Sequence, residues 1–232
     1  TVVAFSGLPG AGGSSIPVWI TNAWPDEHKA AYEAQLDVVA EYWDKATRYS
    51  EENGNVEIAL ELHPKMFAHN PASFRALKDK VKERQDRDTG YTGEAYKLLV
   101  TNPDLSHFVW RGIDEEEVIL HLGEDVGYFH AKDEKKNMPQ MRINGSIDER
   151  PLSDTNRTHS FVYCGSGDIN WQSALRALRT VGYDEGDRPG YVSIEHEDGQ
   201  RDALESLEMS VGHLSPILPR KPAGPMTWAE KS

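Results

Sequence analysis

The sequence predicts an α/β fold in which parallel strands alternate with helices, and three observations lead to this class. Five short apolar segments rich in β-forming residues recur along the 232-residue chain. Segments with helical apolar spacing separate them, and clusters of His, Asp and Glu follow four of the five. Nearly continuous apolar runs suit strands buried on both faces, and strand–helix alternation implies parallel strands with right-handed crossovers.

The predicted strands are defined by these apolar segments. Most of them run without the polar alternation expected of a strand with one solvent-facing side. They are Val2–Ser6, Val56–Leu62, Lys97–Asn102, Val126–His130 and Tyr191–Glu195.

Five helices are predicted from apolar spacing and from capping residues. Asn70 is expected to cap a helix that begins at Pro71. Asp114 and Glu117 resemble a capping box, and Gly123 is expected to end that helix. The predicted apolar faces are Val39, Tyr42, Ala46 and Tyr49 in Asp26–Gly54; Phe74, Leu77 and Val81; Trp171, Leu175 and Leu178 in the helix ending at Gly182; and Leu204, Leu207 and Val211 in the last helix.

The number of β/α units bears on the kind of α/β fold. A closed eight-fold barrel needs eight units and typically ~250 residues, whereas five are visible here. The residues alone therefore allow an open doubly wound sheet or a barrel without its first units. We expect residues 1–214 to form one domain and the proline-rich residues 215–232 to form an irregular tail. The polar stretch Ala131–Gly167 is predicted to be a functional loop.

Composition excludes several classes of protein. The formal net charge of −13 argues against a nucleic-acid binder that uses a broad basic face. The single cysteine, Cys164, excludes an intramolecular disulfide, disfavours a cysteine metal site and fits a cytoplasmic location. No apolar run approaches the roughly 18 residues of a membrane span, and no signal-peptide pattern is visible.

The glycine-rich stretch Ser6–Ser15 follows the first strand and resembles an incomplete phosphate-binding loop. Gly13 stands where that motif requires lysine, and the following Ile16-Pro17 does not begin a helix. A glycine-rich loop without a nucleotide is therefore the favoured interpretation.

Polar residues at the predicted strand ends indicate a metal site. The carboxyl ends of parallel strands meet at one edge, where α/β folds build their sites. Carboxylates with neutral imidazoles suit Mn²⁺, Mg²⁺, Co²⁺ or Zn²⁺. The segments are Glu61-Leu62-His63-Pro64, Asn102-Pro103-Asp104-Leu105-Ser106-His107, His130-Ala131-Lys132-Asp133 and Glu195-His196-Glu197-Asp198.

These segments, in this order, resemble the sugar phosphate isomerase/epimerase family of the xylose-isomerase-like barrel superfamily. The resemblance extends from Val2 to about Leu214 and includes Ser6-Gly7 and Gly165–Gly182. It implies a (β/α)₈ TIM barrel in which the five units seen here are strands four to eight, strands one to three being absent. One departure is that Pro103 precedes Asp104, where the family usually has Asp-Pro-Ser-His.

The resemblance also implies roles for individual residues. The metal ligands would be Glu61, Asp104, His130 and Glu195. The two glutamates of this set would also be catalytic, moving a proton between substrate and protein through an enediolate while the metal acts as a Lewis acid. The residues expected to bind substrate are His63, His107, Lys132 and Arg157.

The resulting hypothesis is a metal-dependent isomerase or epimerase acting on a sugar or sugar phosphate. Two alternatives stay open: an inosose-type dehydratase using the same site, and a non-catalytic barrel fragment. A DNA-repair enzyme like endonuclease IV is disfavoured by the acidic charge. A five-strand fragment would expose two sheet edges, so a homo-oligomer is possible.

Overall fold

The structure is a computed structural model, and it describes residues 1–10, 14–185 and 190–219. Within these ranges the chain forms seven strands and six α-helices. The strands are β1 (Val2–Phe5), β2 (Ile58–Glu61), β3 (Leu99–Asn102), β4 (His130–Ala131), β5 (Asp133–Lys136), β6 (His159–Val162) and β7 (Ser193–Ile194). The helices are α1 (Asp26–Glu52), α2 (Pro71–Arg87), α3 (Glu115–Leu122), α4 (Met138–Asn144), α5 (Trp171–Thr180) and α6 (Ala203–Leu214).

Five parallel strands succeed one another in chain order. β1 pairs with β2 and β2 with β3, so that Ile58 lies opposite both Val2 and Leu99. Single bridges from Thr101 to Val126 and from Asp104 to His130 continue this arc to β4, which pairs with β7. This is the strand order of a barrel wall, and the α/β class is confirmed.

All five strands are shorter than predicted, and the last two have only two regular residues each. The segment Val126–His130 is regular only from His130, because the amides of Gly127 and Tyr128 both donate to the Thr101 carbonyl and bend the chain. A side chain at Gly127 would also collide with Val100. Glycine therefore permits this segment to approach β3 closely. The predicted strand Tyr191–Glu195 is regular only at Ser193–Ile194.

The stretch Ala131–Gly167, predicted to be a loop, contains an antiparallel hairpin. β5 pairs with β6 so that Lys136 lies opposite His159, and α4 lies between the two strands. Its strands are rich in charged and polar residues, so the apolar pattern of the sequence does not predict them. Asp133 and Glu134 are nevertheless buried, whereas Lys135 is exposed.

The buried faces of two helices differ from those predicted. In α1, Tyr42 and Tyr49 are 63% and 68% exposed, and the buried face is displaced to include Val39, Trp43 and the polar Gln35. The Gln35 amide is satisfied by the carbonyls of residues 9 and 18. Polar burial of this kind is stable only when hydrogen-bonded, and it is invisible to a hydrophobic pattern.

In α6, Leu204 and Val211 are exposed, and the helix instead buries Ser206, Ser210 and Leu214. The Ser210 hydroxyl donates to the Ser206 carbonyl and accepts from the Cys164 amide, which explains its burial. The two predicted N-caps are present. Asn70 and Ser73 form a reciprocal capping box, and the Asp114 carboxylate accepts the amides of Glu116 and Glu117.

The apolar core lies between the strand arc and the helices. It is continuous from the α1–α2 face to α3 and α5, with Phe74, Phe108, Phe129 and Trp171 among its largest members. None of the helices in the described part of the chain has the length and apolar character needed to cross a membrane. Of the predicted tail, residues 215–219 form a turn after α6 and the remainder lies outside the described residues, as do positions 11–13 of the glycine-rich stretch.

Asp133 ties the hairpin to the turn before α5. Its carboxylate is fully buried, and a side chain on Gly167 would overlap it, so the glycine permits this close approach. It accepts hydrogen bonds from the amides of Glu134, Gly165, Gly167 and Ile169 and from Trp171 Nε1.

We expect Asp133→Asn to lower the free energy of unfolding by about 2–4 kcal/mol, because its amide would face N–H donors and leave them unsatisfied. Urea unfolding at pH 7 measures the change. Asp154→Asn is the matched control, since its oxygen can still accept from the Asn156 amide. A loss below about 1 kcal/mol for Asp133→Asn would show that this network contributes little.

Candidate metal centre

Four side chains from four strand ends converge on one point. Glu61 is the last residue of β2, and His130 is the first of β4. Asp104 follows β3 and bridges to His130, while Glu195 follows β7 and donates its amide to the Ala131 carbonyl. One ligand atom from each of the four lies within 4.8 Å of the others. The structure thus brings together the four residues expected to bind metal.

The donor atoms of this cluster are close but poorly hydrogen-bonded. His130 Nδ1 lies 3.0 Å from Glu195 Oε2 and 3.3 Å from Glu61 Oε2. Within the described residues, His130 Nδ1, Glu195 Oε2 and Asp104 Oδ2 are buried and have ion-pair contacts that do not meet hydrogen-bonding geometry. Buried polar atoms are normally satisfied, so this convergence fits a cation held between them. The donor set, three carboxylates and one imidazole, suits a hard or borderline divalent metal.

Charges within the cluster are incompletely balanced by protein cations. The buried Lys132 Nζ lies 3.0 Å from Asp104 Oδ2 and 3.3 Å from Glu195 Oε1. Burial opposes its charge, but these carboxylates raise the pKa of Lys132 above its usual range. One ammonium against three carboxylates leaves two negative charges for His130 or a divalent cation to offset.

A proton on His130 offsets part of this negative charge. Burial alone would lower its pKa, but Glu195 and Glu61 raise the pKa of His130 to about 10. Reciprocally, the His130 contact lowers the pKa of Glu195 to about 2. For Glu61, burial works against ionisation, yet His107 and His130 hold its pKa well below the usual range.

The residues expected to bind substrate divide into two groups. His107, His63 and Lys132 adjoin the centre: His107 Nε2 lies 3.2 Å from Glu61 Oε1, and the rings of His107 and His63 are 4.1 Å apart. Glu61, His63 and His107 form a second set of possible ligands. Arg157 lies apart from this centre, beside His159 on the hairpin.

Two neighbours of the centre were not identified from sequence. Glu197 belongs to the strand-end segment 195–198 but was assigned no role of its own, and its Oε2 lies 3.3 Å from Lys132 Nζ. The Phe161 ring lies 5.0 Å from Lys132 Nζ and 5.7 Å from the His107 ring. Only the hairpin, which the apolar pattern does not predict, brings Phe161 to this position.

Metal affinity is expected to rise with pH. Because the pKa of His130 is raised to about 10, its ring is protonated between pH 6 and 8 in the metal-free protein, and a metal needs the neutral ring. Binding should release about one proton, and the association constant should increase about tenfold per pH unit.

Calorimetric titration with Mn²⁺ or Zn²⁺ in buffers of different ionisation enthalpy measures both quantities. His130→Gln, which has no titrating ring, serves as the control and should lose the proton release. Binding that releases no proton and is independent of pH in the unaltered protein would contradict the assignment of His130 as a ligand.

Comparison with known proteins shows what this chain is similar to. Residues 10–213 match the family described as xylose isomerase-like TIM barrel. The uncharacterised protein YfiH of Bacillus subtilis (strain 168) is 28% identical over 224 residues, which cover 90% of this chain and 66% of that protein.

Two solved structures share the fold. A D-allulose 3-epimerase from Methylomonas sp. superposes with a TM-score of 0.52 at 13% identity, covering 91% of this chain and 60% of the epimerase. The IOLI protein, solved with a bound zinc atom, gives 0.54 at 20% identity, covering 94% of this chain and 63% of IOLI. The chain thus spans about two thirds or less of the length of these relatives. With its parallel strand order and the match over residues 10–213, the chain belongs to the xylose isomerase-like TIM barrel family.

Proposed function

We propose that this chain is a divalent-metal-dependent isomerase or epimerase of a sugar or sugar phosphate, working by proton transfer next to a carbonyl. The observation that carries the proposal is the position of two glutamates, Glu61 and Glu195, whose carboxylates lie 3.3 Å and 3.0 Å from the same atom, His130 Nδ1. Moving a proton from one carbon and returning it to a neighbouring carbon, or to the opposite face, requires bases near both positions.

The two glutamates differ in accessibility. The Glu195 side chain is 33% exposed, so a substrate can contact its carboxylate, whereas Glu61 is buried and contacts His107. The His130 contact holds the pKa of Glu195 at about 2, so its carboxylate is ionised at neutral pH, which is the form that can accept a proton. Glu195 is then suited to remove a proton from substrate carbon, and Glu61 to assist in returning it.

A divalent ion held by Glu61, Asp104, His130 and Glu195 would supply Lewis-acid stabilisation of the negative charge that develops on substrate oxygens. Lys132 adds a fixed positive charge beside Asp104 and Glu195. His107 and His63 offer ring nitrogens to substrate hydroxyls next to the same cluster. Enclosure of these groups strengthens each interaction relative to water.

The relatives support this proposal in two respects. The fold is shared with a D-allulose 3-epimerase, whose name describes inversion at a carbon next to a ketone. It is also shared with IOLI, whose structure contains zinc. A small carbohydrate is accordingly the proposed partner, and a divalent metal the proposed cofactor.

Solvent exchange in D₂O tests the proposed function. The metal-loaded protein is incubated with ketohexoses, ketopentoses, their phosphates and inososes, and NMR follows hydrogen on the carbon next to the carbonyl. Deuterium should enter that position of at least one compound, even where net conversion is slow, because proton removal precedes product formation.

A metal-loaded protein that exchanges none of these compounds would overturn the proton-transfer proposal. Exchange that is followed by a product that has lost one water molecule would instead favour the dehydratase alternative. Addition of a chelator serves as the control, and it should abolish exchange in either case.

A further inference from the structure

A cavity of about 700 Å³ opens beside the candidate metal centre. One wall is the β5–β6 hairpin, and the opposite walls are the loops 152–155 and 197–200. Phe161 and Glu197 line the cavity and also contact Lys132, which borders the metal centre. The cavity is therefore linked to the centre through the contacts of Phe161 and Glu197 with Lys132.

Two cations that line this cavity have no ion-pair partner among the described residues; Asp168, which accepts the Lys136 amide, is itself paired with Lys135. Within the described residues, neither Lys136 nor Arg157 takes part in an ion pair, whereas the adjacent Lys135 Nζ lies 2.6 Å from Asp168 Oδ1. The Arg157 guanidinium donates to the carbonyls of Arg150 and His159, which fix its orientation without neutralising it. Unpaired, half-buried cations are unexpected in a chain with a net charge of −13.

The hairpin register places Lys136 on the same face as three other side chains of β5 and β6. Lys136 lies opposite His159, and Glu134 lies opposite Phe161, so the four share a side of the antiparallel pair. Burial lowers the pKa of His159 to about 4 and raises that of Glu134 to about 8, so both are largely neutral at pH 7. The buried carboxyl on this face therefore does not cancel the charge of Lys136.

Two acidic residues of the described part of the chain also line the cavity, and only Glu197 is paired with a cation. Glu197 contacts Lys132, and Asp154 accepts the Asn156 amide. A planar guanidinium held by carbonyls and an ammonium without an ion-pair partner line the same cavity. Such a pair suits an oxyanion, which can accept two hydrogen bonds from the guanidinium and one from the ammonium.

We propose that this cavity is an anion subsite, in which Lys136 and Arg157 bind a phosphate or carboxylate group at the end of the substrate remote from the metal centre. The inference rests on the proposed function and narrows it to sugar phosphates or sugar acids. Phe161 and Glu197 then lie between the reacting carbons and the anionic end.

Binding of small anions without turnover tests the subsite. Inorganic phosphate and acetate are titrated calorimetrically into chelator-treated protein and into His130→Ala, which excludes binding through a metal. One of the anions should bind saturably to both, and Arg157→Gln and Lys136→Gln should each weaken it by about tenfold or more. Lys45→Gln, which removes an exposed lysine on α1, should leave affinity within about twofold.

The outcomes separate this inference from the proposed function. Tighter binding of phosphate identifies a sugar phosphate as the substrate class, and tighter binding of acetate identifies a sugar acid. Absence of saturable binding of both anions, or binding unaffected by either cavity substitution, would overturn the subsite without bearing on proton transfer. Intact anion binding in a protein that exchanges no ketose would leave the subsite standing and remove only the proposed reaction.

Discussion

Glu195→Gln is expected to slow solvent-deuterium exchange into the substrate by about 10²–10⁴-fold, the usual contribution of a general base. The substitution preserves an oxygen near His130 but removes the carboxylate that accepts the proton. Glu195 is the more exposed of the two glutamates in the cluster, so a substrate can contact it directly. The measurement is the initial rate of deuterium incorporation at saturating metal.

Glu205→Gln on α6 is the matched control, because its carboxylate pairs with Arg201 on the surface. Its exchange rate should equal that of the unaltered protein. Metal content of the Glu195 variant is measured in parallel, since loss of the ion would also stop exchange. A metal-loaded Glu195→Gln protein that exchanges at the original rate would exclude Glu195 as the base.

His130→Ala is expected to abolish stabilisation of the fold by divalent metal. A ligand at one hundred times its dissociation constant stabilises the native state by ~2.7 kcal/mol, which corresponds to roughly 5–10 °C in Tm for a chain of this size. His130 contacts two of the three carboxylates, so its removal disrupts the centre of the donor set. Thermal unfolding with and without Mn²⁺, Co²⁺, Zn²⁺ or Mg²⁺ measures the effect.

His28→Ala provides the control, because His28 is exposed on α1 and distant in sequence from every strand end. This variant should keep the full metal-dependent shift. An equal shift in His130→Ala would place the stabilising ion elsewhere, for example at Glu61, His63 and His107.

The strand ends were the most predictable part of the molecule. Glu61, Asp104, His130 and Glu195 each follow a short apolar run, and parallel strands bring their carboxyl ends to the same edge. Local sequence was therefore enough to group them. Irregularities such as the bend at Gly127 did not prevent this, because pairing resumes at His130.

The hairpin was not predictable from apolar periodicity. Its first strand, Asp133–Lys136, contains only charged residues, and its burial depends on hydrogen bonds between Asp133 and amides more than thirty residues away. Such partners are set by tertiary structure. The same reason explains Ser210 in α6, whose burial depends on Cys164.

Glu197 shows the corresponding limit for the site. As one of three acidic residues between 195 and 198, it is equally consistent with a helix cap or a solvent-facing charge. Only the position of Lys132 Nζ, 3.3 Å away, distinguishes it from Asp198. Arg157 was identified by resemblance, but its separation from the metal cluster depends on the hairpin.

A crystal structure of the protein with Mn²⁺ and an anomalous difference map tests the metal centre most directly. We predict one strong peak within about 2.0–2.6 Å of oxygen or nitrogen atoms of Glu61, Asp104, His130 and Glu195. A strong peak at Glu61, His63 and His107 instead, or no peak at saturating Mn²⁺, would contradict the assignment of these four residues as one metal centre.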